Sequence, residues 1–182
     1  MLSSPAMPAR IRRSPRPDTA TAPHDSARAR AELDIFIARF TPEIAARVQS
    51  IVRRMRARLP GAVEFVYDNY YALVIGYGPT DRPSEALFSI VAQPKKVSLC
   101  FLQGAKLARG GGDPKGLLRG GGNQVRNIQL ETPAALGSRD LRGLMTRASA
   151  ASPKRFDSTV PIRTVVRGVV PHQRPRRPAQ RA

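Results

Sequence analysis

The 182-residue chain has one cysteine, no tryptophan and two histidines. A lone thiol, Cys100, rules out an internal disulfide and a cysteine-built zinc cluster, and it fits a reducing compartment. His24 and His172 both fall in segments read as tails, which leaves no positioned imidazole for a Ser/His/Asp or Cys/His arrangement. No apolar run approaches the roughly 18 residues of a transmembrane helix, and residues 1–31 lack the apolar centre of a secretory signal. A cytoplasmic setting with no membrane partner is expected. Acids are scarce too, 13 against 31 Lys and Arg. No stretch clusters them as an oxygen-ligand metal site requires, so neither a metal nor a cofactor is expected.

What is abundant is positive charge, +18 at neutral pH. Residues 1–31 carry 6 Arg against 2 Asp, residues 32–152 carry 17 basic against 10 acidic groups, and residues 153–182 carry 8 basic groups against Asp157 alone. Such a surface attracts polyanions without specifying one. The same excess, 26 Arg against 5 Lys, is also what biased base composition produces, with the charges serving solubility. The proline-rich ends read as a disordered basic leader, 1–31, and a disordered basic tail, 171–182. Prolines 5, 8, 15, 17 and 23 forbid a continuous targeting helix in the leader, and Met7 is a second candidate start.

Between the ends, periodicity predicts one α+β domain over 32–152, extended by a strand at 160–170. Leu33, Phe36, Ile37 and Phe40 mark a first helix. Thr41-Pro42-Glu43 combines a hydroxyl cap, a first-turn proline and an early acid. A second helix follows, with Ile44, Val48, Ile51, Val52, Met55 and Leu59 inward and arginines around its other faces until Pro60-Gly61. From Val63 the period becomes two. Val63–Asp68, Tyr71–Tyr77, Ala86–Gln93 and Val97–Leu102 read as a meander, and Arg126–Leu130 as a fifth strand. Residues 104–124, with eight glycines, read as one long loop with a short helical turn at Leu117 and Leu118. Ser138 caps a C-terminal helix. The expectation is two N-terminal helices packed on an antiparallel sheet of about five to six strands, plus one C-terminal helix.

No catalytic residue is assigned. The glycine loop fails as a P-loop, since Gly116 is followed by Leu117 and Leu118, and as a dinucleotide fingerprint, since Lys115 stands where the third glycine belongs. Cys100 in its apolar strand reads as packing. Glu64 and Asp68 share one sheet face and read as solvated surface acids. Polyanion-binding candidates are Arg47, Arg53, Arg54, Arg58 and Arg126. Tyr67, Tyr71, Gly120, Gly122 and Asn123 form a candidate pocket, with tyrosines as stacking faces.

Phe40-Thr41-Pro42-Glu43-Ile44 leading to Arg58-Leu59-Pro60-Gly61-Ala62-Val63-Glu64 resembles the YdhG-like family of bacterial domains. Val66-Tyr67-Asp68-Asn69-Tyr70, Phe101-Leu102-Gln103-Gly104-Ala105 and Asp113-Pro114-Lys115-Gly116-Leu117-Leu118 extend the likeness over about residues 33–150. Gln173-Arg174-Pro175-Arg176-Arg177 resembles a basic ending of some members. The resemblance implies helices on an antiparallel sheet and, for some members, frataxin-like iron chaperoning through surface acids, here Glu32, Asp34 or Glu43. The family's Gly-x-Gly-Lys and Arg-His are replaced by Gly120-Gly121-Gly122-Asn123 and Arg126-Asn127, which leaves Arg126 the only cation of that motif. The function expected is a non-enzymatic binding or adaptor module for an acidic partner such as nucleic acid or an acidic protein, as monomer or homodimer. The alternatives are an iron or metallocofactor chaperone and an enzyme using Asp68, Arg126 or the glycine loop.

Overall fold

The computed structural model describes residues 23–177; the leader and second-start readings on residues 1–22 lie outside them. Two helices, α1 (Pro23–Ala38) and α2 (Pro42–Arg58), precede strands β1 (Val63–Asp68), β2 (Leu73–Gly78), β3 (Phe88–Ala92) and β4 (Val97–Phe101). A six-residue helix α3 (Gly104–Arg109), strand β5 (Arg126–Gln129), helix α4 (Arg139–Ala150) and strand β6 (Arg163–Val169) follow among the described residues. Short 3-10 turns lie at Pro83–Glu85 and Pro133–Gly137.

The strand order is β5-β4-β3-β2-β1-β6. The first five strands pair antiparallel as the turn signals predict, but β6 pairs parallel with β1, so the sheet is mixed rather than antiparallel. A parallel partner requires a crossover of a dozen residues or more. Here the crossover carries α4 between β5 and β6.

Alternation along the strands gives the sheet two unlike faces. Val66, Leu73, Ile75, Tyr77, Phe88, Ile90, Ala92, Val97, Leu99 and Phe101 form the main core with Leu33, Phe36, Ile37 and Phe40, with the inward stripe of α2, and with Leu141, Leu144 and Met145. The opposite face is thinner, with Val63, Phe65 and Ala86 as its small apolar nucleus. Cys100 lies half-buried, cross-strand from Ser89. Burial holds its thiol above the ordinary range, while Ser89 lowers it in part. It is therefore a protonated packing group.

Local signals act where expected. The Thr41 hydroxyl accepts from the Ile44 N–H at 3.5 Å and the Ser138 hydroxyl from the Leu141 N–H at 3.3 Å, each satisfying a first-turn donor that has no intrahelical acceptor. Gly61 takes φ of 74° after α2, and a Cβ there would sit 1.8 Å from the Asp157 carbonyl oxygen. Glycine thus serves both the left-handed turn and the close approach of residue 157.

Three boundaries differ from expectation. Residues 104–109, read as loop, form α3; its glycine start lets the helix lie against β5, where a Cβ on Gly104 would meet the Arg126 Cβ at 2.6 Å. The domain begins before residue 32, because Ser26 and Ala29 are buried and the Ser26 hydroxyl accepts from the Thr164 N–H at 3.0 Å. Residues 173–177, read as disordered tail, fold back on the domain, and Arg176 is 4% exposed.

Candidate functional site

The arginines of α2 divide by what they touch. Arg47 donates to Glu43 at 2.7 Å, one turn away. Arg56 turns inward and clasps the Glu64 carboxylate through Nε at 2.9 Å and Nη2 at 2.8 Å. Arg53 and Arg54 are exposed and Arg58 half-buried, and none of the three meets a carboxylate among the described residues.

Arg54 and Arg58 border a shallow depression of about 410 Å³ with Met55, Ala57, Leu136 and Gly137, and no acid lines it. Arg142, exposed on α4, adds a third cation. Partial burial and the like charge of Arg142 both lower the Arg58 pKa from its ordinary value. Guanidinium groups remain charged at any physiological pH, so the consequence is a local field that favours an anion, not a lost proton. The sequence placed Arg54 and Arg58 here but missed Arg142, which lies 84 positions beyond Arg58 and carries no local motif.

Arg126 does not join this group. From β5 it donates to the carbonyls of Gly122 and Val125, bracing the glycine loop from within. The pocket predicted from Tyr67, Tyr71, Gly120, Gly122 and Asn123 does not form. Three strands separate β1 from β5, a span of about 19 Å at the usual strand spacing. Tyr67 is half-buried on β1, while Tyr71 is 60% exposed, stacks edge-on with Tyr70 at 4.6 Å and lies under Arg174.

Glu64 and Asp68, expected to be solvated, are both fully buried. Beyond Arg56, Glu64 accepts from the Thr164 hydroxyl at 2.8 Å, tying β1 to β6. Asp68 accepts from Arg39 at 2.6 Å and, through shorter contacts, from Gln173 and Arg176. Arg177 donates to the carbonyls of Phe40 and Ala38 at the end of α1, where the helix leaves acceptors open. The basic ending thus pins the chain back onto the domain. Two acids at i and i+4 flanking the core residue Val66 were the signal for inward carboxylates needing cations. The Tyr77 hydroxyl lies buried with no hydrogen-bond partner. Burial and the nearby Glu64 charge hold this phenol well above its ordinary pKa.

A larger cavity, about 500 Å³, lies elsewhere, between the Pro83–Glu85 turn, α3 and the end of α4. It draws residues from three separate stretches, 84–87, 101–110 and 148–154, and no single stretch announces it. Among the described residues no three His, Cys, Asp or Glu side chains converge as a metal site, and Glu43 is already ion-paired with Arg47. No described helix is long and apolar enough to cross a membrane.

The molecule is therefore a two-layer α+β domain with an arginine-lined depression on its helical side. No family model matches the chain, and no curated protein or solved structure matches it.

Proposed function

We propose that this chain is a non-enzymatic binding module of the cytoplasm, akin to YdhG-like domains, that holds nucleic acid through the depression bordered by Arg54 and Arg58, with Arg142 beside Arg58. One observation carries the reading: two α2 arginines line a concavity that no carboxylate lines, and Arg142 of α4 lies near enough for its charge to act on Arg58. Elsewhere, Arg39, Arg56 and Arg176 are held by buried acids and Arg163 by Asp81. Leaving several cations unpaired side by side costs self-repulsion, and a phosphate backbone offsets it. Guanidinium groups suit this partner because their planar forks match phosphate oxygens in pairs. Arg53, exposed on the same helix, extends the face along α2. The α+β fold agrees with what the family resemblance implies.

The test is binding of a labelled duplex to the triple variant Arg54→Glu, Arg58→Glu, Arg142→Glu. A fall of at least about tenfold in affinity at low salt supports the reading. Unchanged binding removes this face from it. Wild-type protein that binds an acidic peptide but no nucleic acid reassigns the partner to an acidic protein.

A further inference from the structure

The cavity of about 500 Å³ falls within the ~300–1,000 Å³ usual for small-molecule sites. Its walls are apolar. Leu87 precedes β3, Phe101 ends β4, Leu107 lies on α3 and Ala148 on α4. Leu87, Leu107 and Ala148 each pack one side against the main core and keep part of their surface in the cleft. Water in such a space finds few polar partners, so an apolar body displaces it favourably. Lys106 and Lys154, both exposed, supply the cations among the lining residues. Of the described lysines only Lys115 is ion-paired, with Asp140. The one acid on the lining, Glu85, is already bonded by the Thr80 hydroxyl at 2.5 Å and faces Arg82 at 3.9 Å.

We propose that this cleft binds a small amphipathic carboxylate, its apolar body against Leu87, Phe101, Leu107 and Ala148 and its anionic end at Lys106 and Lys154. Apolar walls with a few placed charges are the usual composition of a site that orients its ligand. The cleft shares no lining residue with the arginine depression, so the two sites are separable by mutation.

The experiment is a methyl-NMR titration of the full chain, labelled at leucine and alanine methyls, with decanoate and separately with decanol. Saturable shifts at Leu87, Leu107 and Ala148 are expected from decanoate. The Lys106→Glu, Lys154→Glu variant, altered only at exposed positions, is expected to weaken decanoate by about tenfold while leaving decanol nearly unchanged. The Ala151→Trp variant, which fills the rim, is expected to abolish shifts from both. The triple arginine variant keeps decanoate binding. Decanoate that shifts none of these methyls, shifts those near Leu136 instead, or binds wild type and the lysine variant equally overturns the proposal.

Discussion

Asp68→Asn tests how the C-terminal segment is held. The carboxylate is fully buried and receives Arg39, Gln173 and Arg176, and the Arg176 side chain is itself only 2% exposed. Asparagine keeps one carbonyl oxygen but removes the charge. Arg39, 42% exposed, turns to water at little cost, whereas Arg176 cannot: two of its guanidinium nitrogens already lack an acceptor, and it keeps only the Asn69 carbonyl at 3.2 Å and the Phe40 ring at 4.8 Å. Removing one partner of a buried ion pair costs about 3–5 kcal/mol, because the other charge stays desolvated. At roughly 2–4 °C per kcal/mol for a domain of this size, Tm should fall by about 6–20 °C. Thermal unfolding followed by circular dichroism reads the shift. Adding Arg176→Met removes the stranded cation, so the double variant should recover most of the loss, a coupling that a mutant cycle isolates. A single variant melting within about 2 °C of wild type would refute the reasoning and leave the segment undocked.

Gly61→Ala should destabilise by about 3 kcal/mol or more in urea unfolding, since the left-handed backbone alone costs about 1–2 kcal/mol and the new Cβ collides with the Asp157 carbonyl. Tyr77→Phe should leave stability within about 1 kcal/mol of wild type at neutral pH, since the buried hydroxyl makes no well-formed bond although it faces the Glu64 carboxylate; a larger loss in urea would contradict this. Tyr77 also predicts an alkaline limb. Its folded pKa is raised above the ordinary 10.0, so below that pH both states keep the proton, whereas above it only the unfolded chain releases it, and stability falls as pH rises. Urea midpoints measured from pH 8 upward should decline more steeply above about pH 10 for wild type than for Tyr77→Phe.

The fold was legible wherever periodicity and caps spoke together. The α2 start at Thr41-Pro42-Glu43, its stop at Pro60-Gly61, the four-strand meander and the Ser138 cap all follow from local chemistry. Parallel pairing of β6 was not legible, because it depends on where a long crossover lands. Nor was α3, whose glycine start is a poor helix signal and whose place is set by contact with Arg126. For the sites, α2 displayed its arginines, but which of them face solvent was decided by Glu64: Arg56 is drawn in, while Arg54 and Arg58 stay out. The tyrosine and glycine pocket failed because residues close in composition stand at opposite sides of the sheet. The lysine cleft was invisible because its residues meet only in three dimensions.

The most direct measurement of the nucleic-acid proposal is fluorescence anisotropy of a labelled DNA duplex with the full chain and with the Arg54→Glu, Arg58→Glu, Arg142→Glu variant, at about 50 and 200 mM salt. Three phosphate contacts correspond to a slope of about −2.7 in log affinity against log salt, a factor of about 40 across this range. The account predicts that wild type loses about 40-fold more affinity than the variant as salt rises. Equal slopes for the two proteins would contradict it and place the binding charge outside the arginine depression.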